Sequence, residues 1–329
     1  MVRIILTSAI LLVHLGCIQL RFPGENYHGV LPAVTDEQTS LAMHLREHVV
    51  TLSEKIGERN IPDHPVQLAA SSKYIQDTLK RFGYTPKTQP YYVDGQPVEN
   101  ISAEIVGSTK PDEIVVVGAH YDSVHRSPGA NDNGTGTAAV LEIARVLSDF
   151  KPSRTIRFVF FVNEEPPYFR TEKMGSLVYA RECANRKENI VAMMSIETIG
   201  CYSDVKGSQR YPGAFGMFYP NTGNFISVVG DSTSRSLTSE VIQSFRKHAK
   251  FPSEGAVVPR TIDGAGWSDH WSFWQAGYKG VMVTDTAPFR YAHYHAKTDT
   301  PDKIDFDRTG RVVSGLMGVV KDLGTGEMK

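Results

Sequence analysis

Short apolar runs alternate with helical stretches from residue 114 onward, and this alternation restricts the chain to one kind of architecture. Ile114, Val115, Val116 and Val117 form a brief apolar block of the sort found in strands covered on both faces. A helical stretch follows from 134 to about 150, with Ala139, Leu141, Ile143, Ala144 and Leu147 available for a core face. Residues 156–162 are rich in Phe, Val and Ile and strongly favour a strand. A helix near 174–185 then leads into a strand at 190–197. Strand followed by helix, repeated in this way, predicts a largely parallel sheet with helices on both faces.

The flanking segments fit around that centre. Thr35-Asp36-Glu37-Gln38 is a capping box that opens a helix running to about Gly57. A second helix begins near Pro65 and stops at Gly83, with Leu68, Ile75, Leu79 and Phe82 on its apolar face. Extended stretches at 85–92 and 98–107 are joined by Asp94-Gly95, a hairpin signal, so the sheet should carry an antiparallel edge. Later strands are expected at 215–219, 225–229 and 279–284, and helices at 234–248 and 301–323. The expected fold class is therefore α/β, a three-layer α/β/α single domain spanning 25–329 around a mixed, mostly parallel central sheet.

The N-terminus follows another logic. Met1-Val2-Arg3 is short and basic, and residues 4–15 are apolar apart from Thr7, Ser8 and His14. That pattern predicts a signal peptide over 1–17. Its end, Leu15-Gly16-Cys17, resembles the lipobox of bacterial lipoproteins, with His14 where Leu is preferred. The expectation is an exported protein: a periplasmic or membrane-anchored lipoprotein held through Cys17, or a secreted one. Cys183 and Cys201 remain, either as a disulfide or as two packed thiols. The formal net charge of −1 on 329 residues carries no basic signature of nucleic-acid binding.

Chemistry gathers where the predicted strands run out. His120 and Asp122 follow the first apolar run, and Asp122 lies two residues from the imidazole whose free ring N–H it would accept. Asp132 precedes Asn133-Gly134 and a helix, so it reads either as a ligand or as a helix cap. Glu164 and Glu165 end the Phe-rich strand. Two adjacent carboxylates there repel each other unless a cation is near. Pro166-Pro167 pushes Glu165 toward an extended backbone, which separates the two side chains. Glu197 ends the next strand. His295 has a competitor in His293. Carboxylates and imidazoles at the edge of an α/β sheet suit a hydrolytic metal pair.

These motifs, Gly118-Ala119-His120-Tyr121-Asp122-Ser123, Gly129-Ala130-Asn131-Asp132-Asn133-Gly134, Asn163-Glu164-Glu165 and Tyr294-His295 with Asp299-Thr300-Pro301-Asp302, resemble the co-catalytic zinc aminopeptidases. Bacterial leucyl aminopeptidases, aminopeptidase Y and the related glutaminyl cyclases belong to that group. The resemblance runs from about 113 to 302. It implies two zinc ions per chain: His120 and Glu197 on one, Glu165 and His295 on the other, and Asp132 bridging. It further implies Glu164 as general base, Asp122 orienting His120, Asp269 supporting from behind, and a cis peptide after Asp132. Glu197 departs from the family, which usually has aspartate there.

The implied activity is hydrolysis of N-terminal residues from peptides by a zinc metallopeptidase. The competing readings are a mono-zinc glutaminyl cyclase-like acyltransferase, a carboxypeptidase-type relative, and a receptor-like module that has lost its site. Trp267, Trp271, Trp274, Tyr202, Tyr211, Tyr168 and Phe169 are candidates for walls of a substrate pocket. Arg290 is a candidate partner for a carboxylate.

Overall fold

The computed structural model describes residues 19–326. The expected leader at 1–17, including Cys17, lies outside the described residues. Thr35 caps helix α1 (Asp36–Val50) with the expected reciprocal box: its hydroxyl accepts from the Gln38 N–H, and the Gln38 side chain accepts from the Thr35 N–H. A wider, π-helical turn, Thr51–Ile56, continues α1, and α2 follows at Pro65–Arg81 with Pro at its first position.

The strands are β1 (Lys87–Val93), β2 (Gln96–Ile105), β3 (Lys110–His120), β4 (Arg154–Phe161), β5 (Asn189–Glu197), β6 (Ile226–Gly230), β7 (Ser253–Val257) and β8 (Gly280–Thr284). They form one eight-stranded sheet in the order β1-β2-β4-β3-β5-β8-β6-β7. The central pairs β4/β3, β3/β5 and β5/β8 are parallel. The hairpin β1/β2 turns at Asp94-Gly95 and lies antiparallel at one edge, and β6 runs antiparallel to β8 on the other side. The mixed sheet of a single α/β domain is thus as expected.

Helices α3 (Gly136–Leu147), α4 (Gly175–Asn185), α5 (Arg235–His248), α6 (His270–Gln275) and α7 (Phe306–Thr325) complete the layers. The layers are unequal. Val115, Val117, Phe158, Phe160, Met194 and Val283 face one core together with α1, α2, α3, α5 and α7. Val116, Val159, Phe161 and Met193 face a smaller core with Tyr179 and Cys183 of α4 and Phe273 of α6. Helix α3 is buried on nearly every side, because it lies between β3 and the outer helices α1, α2 and α7.

Three expectations are corrected. The run 215–219 is not a strand: Phe215–Met217 is a single 3-10 turn, and Gly216, Met217 and Phe218 are exposed, so nothing pairs with them. The last helix begins at Phe306, capped by Asp305, after a separate turn Pro301–Lys303. Strand β7 and helix α6 are additional. Each is short, five and six residues, and β7 carries Glu254 and Gly255 in place of a β-prone pattern. Cys183 and Cys201 are free thiols, not a disulfide.

Leu141 is fully buried in α3, the helix that runs directly out of the Asp132 turn. Leu141→Ala should destabilise the protein by about 2–5 kcal/mol through lost burial and a residual cavity. A urea unfolding midpoint unchanged from wild type would contradict this packing.

Candidate active site

The C-terminal ends of the parallel strands deliver the functional side chains to one edge of the sheet. His120 is the last residue of β3 and Glu197 the last of β5. Glu164 and Glu165 follow β4, which pairs with β3 so that Phe161 stands opposite His120. The turn Ala130–Thr135 brings in Asp132, and the loop after β8 brings in His295.

Asp132 stands between two imidazoles. Its Oδ1 is 3.3 Å from His120 Nε2, and its Oδ2 is 3.1 Å from His295 Nε2. Glu197 Oε2 lies 3.3 Å from His120 Nε2, and Glu165 Oε2 lies 3.2 Å from His295 Nε2. All five expected ligands therefore converge, as two sets sharing Asp132. Glu164 Oε2 is 3.8 Å from His120 Nε2 and belongs to neither set as closely. His293 is excluded as a competitor, since its Nδ1 meets the Thr298 hydroxyl at 2.8 Å. Asp132 is not a helix cap; the Gly136 N–H is taken instead by Asn133 Oδ1 at 3.0 Å. The Asp132–Asn133 peptide is cis, as is Pro166–Pro167.

Four of the five expected ligands are supported from behind. Asp122 stands 3.4 Å from His120 Nδ1, and its two oxygens accept the backbone N–H groups of Glu164 (3.2 Å) and Glu165 (3.1 Å). It thus orients the two glutamates as well as the histidine. Ser268 donates to Glu197 Oε2 at 2.8 Å. Asp299 accepts the N–H of Asn131 (2.8 Å) and of Asp132 (3.1 Å), and the Tyr291 hydroxyl (2.7 Å). Asn133 donates to the Ile196 carbonyl (2.9 Å) and accepts from the Thr198 N–H (3.1 Å).

Sequence reasoning missed Arg59, which is fully buried. Its guanidinium donates to the carbonyls of Tyr121 (2.6 Å), Pro128 (2.6 Å) and Gly129 (2.9 Å). It thereby ties together the two loops that carry Asp122 and Asp132. Burial lowers its pKa to about 10, while Asp122, Asp299 and Asp132 counter that shift. No local motif marks Arg59; its role arises only when the loops meet.

The electrostatics call for a cation. Burial pushes Glu165 up to about 7, and the Asp132 carboxylate adds to the rise. Burial likewise holds Glu164 well above the usual carboxylate range. Asp269 is fully buried at the start of α6, both its oxygens lack a hydrogen-bond partner among the described residues, and burial moves it to about 7. Burial disfavours a charged His295, yet the adjoining Asp132 and Glu165 carboxylates raise it to about 11. His120 Nε2, His295 Nε2 and Glu165 Oε1 are buried without hydrogen-bond partners among the described residues. Buried donor atoms of this type, left unpaired and crowded together, fit divalent metal ions of the kind that take nitrogen and oxygen ligands. His120, Asp132 and Glu165 meet the spacing for a shared ion directly.

A cavity opens beside the cluster, with an empty volume of about 840 Å³ counting its mouth. Glu197 and Tyr294 join it to the ligands, and Tyr211, Phe215, Trp267 and Phe289 make much of its wall. Of the aromatic residues expected there, Tyr211 and Trp267 line it. Trp274 instead is buried and donates to the Gly280 carbonyl, and Tyr202 packs edge-on against Phe251.

Beside Asp269, His270 is fully buried, with Nε2 2.8 Å from the Ala265 carbonyl, and burial lowers its pKa to about 4. The unfolded chain therefore binds a proton near pH 6.5 that the folded chain refuses until about pH 4. The stability this residue contributes is present above pH 6.5 and is lost as pH falls through that window, by about 3 kcal/mol in all. Denaturant titrations from pH 7 to 4 should give a shallower loss for His270→Gln than for wild type; parallel curves would refute the assignment.

Comparison with known proteins gives the family. The profile of peptidase family M28 matches residues 100–320. The protein YfbL of Escherichia coli is 32% identical over 282 residues, covering 83% of this chain and 85% of its own length. Among solved structures, BSAP, a zinc aminopeptidase from Bacillus subtilis, superposes with a TM-score of 0.67 at 17% identity, over 88% of this chain and 96% of that one. A glutaminyl cyclase from Fimbriiglobus ruber gives 0.63 at 19% identity, over 92% and 99%. The chain belongs to peptidase family M28.

Proposed function

We propose that this member of peptidase family M28 is an aminopeptidase that removes N-terminal residues from peptides with the help of two zinc ions. The observation that carries the reading is Asp132, whose two oxygens each face a different histidine, each histidine having its own glutamate. His120 and Glu197 would hold one ion, His295 and Glu165 the other, with Asp132 shared. When bound, such ions polarise a carbonyl as Lewis acids and bring the pKa of water toward ~7. Glu197 keeps the charge of the aspartate usual in the family, and Ser268 fixes one of its oxygens.

The chain's own residues supply the remainder. Glu164 lies beside the ligands without being committed to either set, and it acts as general base. Its carboxylate takes the proton of the attacking water and returns it to the nitrogen of the leaving residue as the C–N bond breaks. Burial raises its pKa, which suits a group that must both accept and release a proton near neutrality. Asp122 keeps Glu164 in place through its backbone N–H. The free α-amine of the substrate is positioned by the surplus carboxylate charge around Glu165 and Asp132. The neighbouring apolar cavity accepts the first side chain and favours an apolar one. The leader and Cys17 support export, with a lipid anchor or secretion as the two destinations.

Glu164→Gln should keep its metal content and lose turnover by at least a hundredfold, read as kcat on an aminoacyl chromogenic substrate. Wild-type kcat in that variant would remove Glu164 from the role. Metal analysis of purified protein should return two zinc ions per chain. One ion per chain, with cyclisation of an N-terminal glutamine and no release of amino acids, would replace the peptidase reading with the cyclase one.

A further inference from the structure

A second group of metal-ligating side chains stands at the surface, on the two loops that meet around Arg59. One loop, 57–64, leads into α2; the other, 121–129, follows β3. They are joined by their backbones at the Arg59 position: its N–H donates to Ser123 Oγ (3.1 Å) and its carbonyl accepts the Ser123 N–H (2.9 Å). Glu58, Asp63 and His125 each offer one donor atom there, all three within 4.8 Å of one another. His125 Nδ1 lies 2.5 Å from Asp63 Oδ2 and 3.7 Å from Glu58 Oε1. The other oxygen of Glu58, Oε2, faces His64 Nε2 at 3.4 Å. Glu58 therefore stands between two imidazoles, one from each loop.

The chain holds these groups in place. Pro62 and Pro65 bracket Asp63-His64 and restrict the backbone on both sides. His64 precedes α2 but its side chain makes no capping bond, which leaves the ring to Glu58. The Asn60 amide donates to Glu58 Oε1 (3.0 Å) and to the Ser123 carbonyl (3.2 Å), and its oxygen accepts the Asp63 N–H (3.1 Å). The Arg126 N–H, on a left-handed residue with φ 65°, also donates to Glu58 Oε1, at 2.7 Å. One oxygen of Glu58 is thus fixed from both loops, as metal-bound carboxylates are fixed from behind. The choice of partners is unusual for this surface. Asp77, Glu104 and Glu113 pair with lysine or arginine. Among the described residues, Glu58 and Asp63 pair with histidines alone.

We propose that Glu58, Asp63, His64 and His125 form a metal site apart from the active site, which takes a divalent transition-metal ion such as zinc and clips loop 57–64 to loop 121–129. Two imidazole nitrogens and two carboxylate oxygens make a complete tetrahedral set, and that mixture disfavours calcium and magnesium, which take oxygen ligands. Donor atoms around a tetrahedral zinc ion stand about 3.4 Å apart. The Glu58 contacts to His64 and His125 already match that spacing, and Asp63 and His125, both exposed, need to part by roughly 1 Å. The ion would restrain the stretch from which Arg59 reaches the carbonyls of Tyr121, Pro128 and Gly129, and so steady the loops that carry Asp122 and Asp132. Open to solvent, it binds more loosely than ions in the buried cluster, and dialysis removes it. The site shares no ligand with the active site and does not rest on the aminopeptidase reading.

The test equilibrates the full chain with buffer holding roughly 50 μM free zinc chloride, many times a micromolar dissociation constant, and counts zinc per chain. Wild type should hold one ion more than His125→Ala, whatever number the active site keeps. Asp63→Asn should lose the same ion, and because it preserves size and shape, the loss reports ligation and not folding. His64→Ala should weaken binding of that ion by at least tenfold, read as a titration midpoint. The same zinc addition should raise the thermal unfolding midpoint of wild type by about 2–4 °C more than that of His125→Ala, and calcium should produce no such difference. Equal zinc counts in wild type, His125→Ala and Asp63→Asn would overturn the proposal and leave His125 and Asp63 as a surface ion pair only.

Discussion

Negative charge held in a buried place is the constraint that organises this molecule. Asp122, Asp132, Glu164, Glu165, Glu197 and Asp269 are all buried around one end of the sheet. Six carboxylates this close cannot all ionise without counter-charge. His120 and His295 supply some of it, and Arg59 supplies more from behind the loops. The orphaned nitrogens and oxygens that remain mark where the balance is left to bound cations. A fold evolved for stability alone would replace such a cluster with apolar residues, because burying it costs more than it returns.

The support structure explains how the cluster survives. Most of the clustered carboxylates are fixed by residues that themselves span two segments. Asp122 holds the backbone of both glutamates, and Asp299 holds the backbone on either side of Asn131 and Asp132. Asp285 accepts from the Asn131 side chain and from the Cys201 N–H, joining the β8 loop to the β5 loop. Asn133 joins the Asp132 turn to the end of β5. Apart from the Asn131–Asp285 pair, these are side chain to backbone bonds between loops, and they replace the regularity that strands and helices would provide. Placement of the ligands therefore depends on the rigid parallel strands below and on this polar mesh above.

Much of this was legible in the chain. The central strands could be read because buried parallel strands are continuous apolar runs, as in Ile114 to Val117, and their ends locate His120, Glu164 and Glu197. The Thr35 box and the Asp94-Gly95 turn were readable because each is local chemistry. What escaped was either short or collective. Strand β7 is five residues with Glu254 and Gly255 inside it, and it exists because β6 offers a partner. The run at 215–219 has strand-like composition, but no edge is available to it. Arg59 has no local signature, since all it recognises are carbonyls brought together from distant loops. Arg290 read as a partner for a substrate carboxylate, but burial spends it on Gln209 and two backbone carbonyls.

The adjacency of Glu164 and Glu165 shows why local backbone geometry matters as much as residue type. Both N–H groups point to Asp122, which fixes the two peptide planes together. The side chains then diverge: Glu165 reaches the His295 half of the site, and Glu164 stays near His120 without approaching as close as Glu197 does. Two carboxylates of identical chemistry are thereby assigned different work by the direction in which the chain presents them. The turn that follows, Pro166-Pro167, cannot continue as a helix and keeps the chain out of regular helical geometry just beyond Glu165. In the mechanism we propose, that divergence between neighbours one residue apart separates the group that would hold a cation from the group that would move a proton.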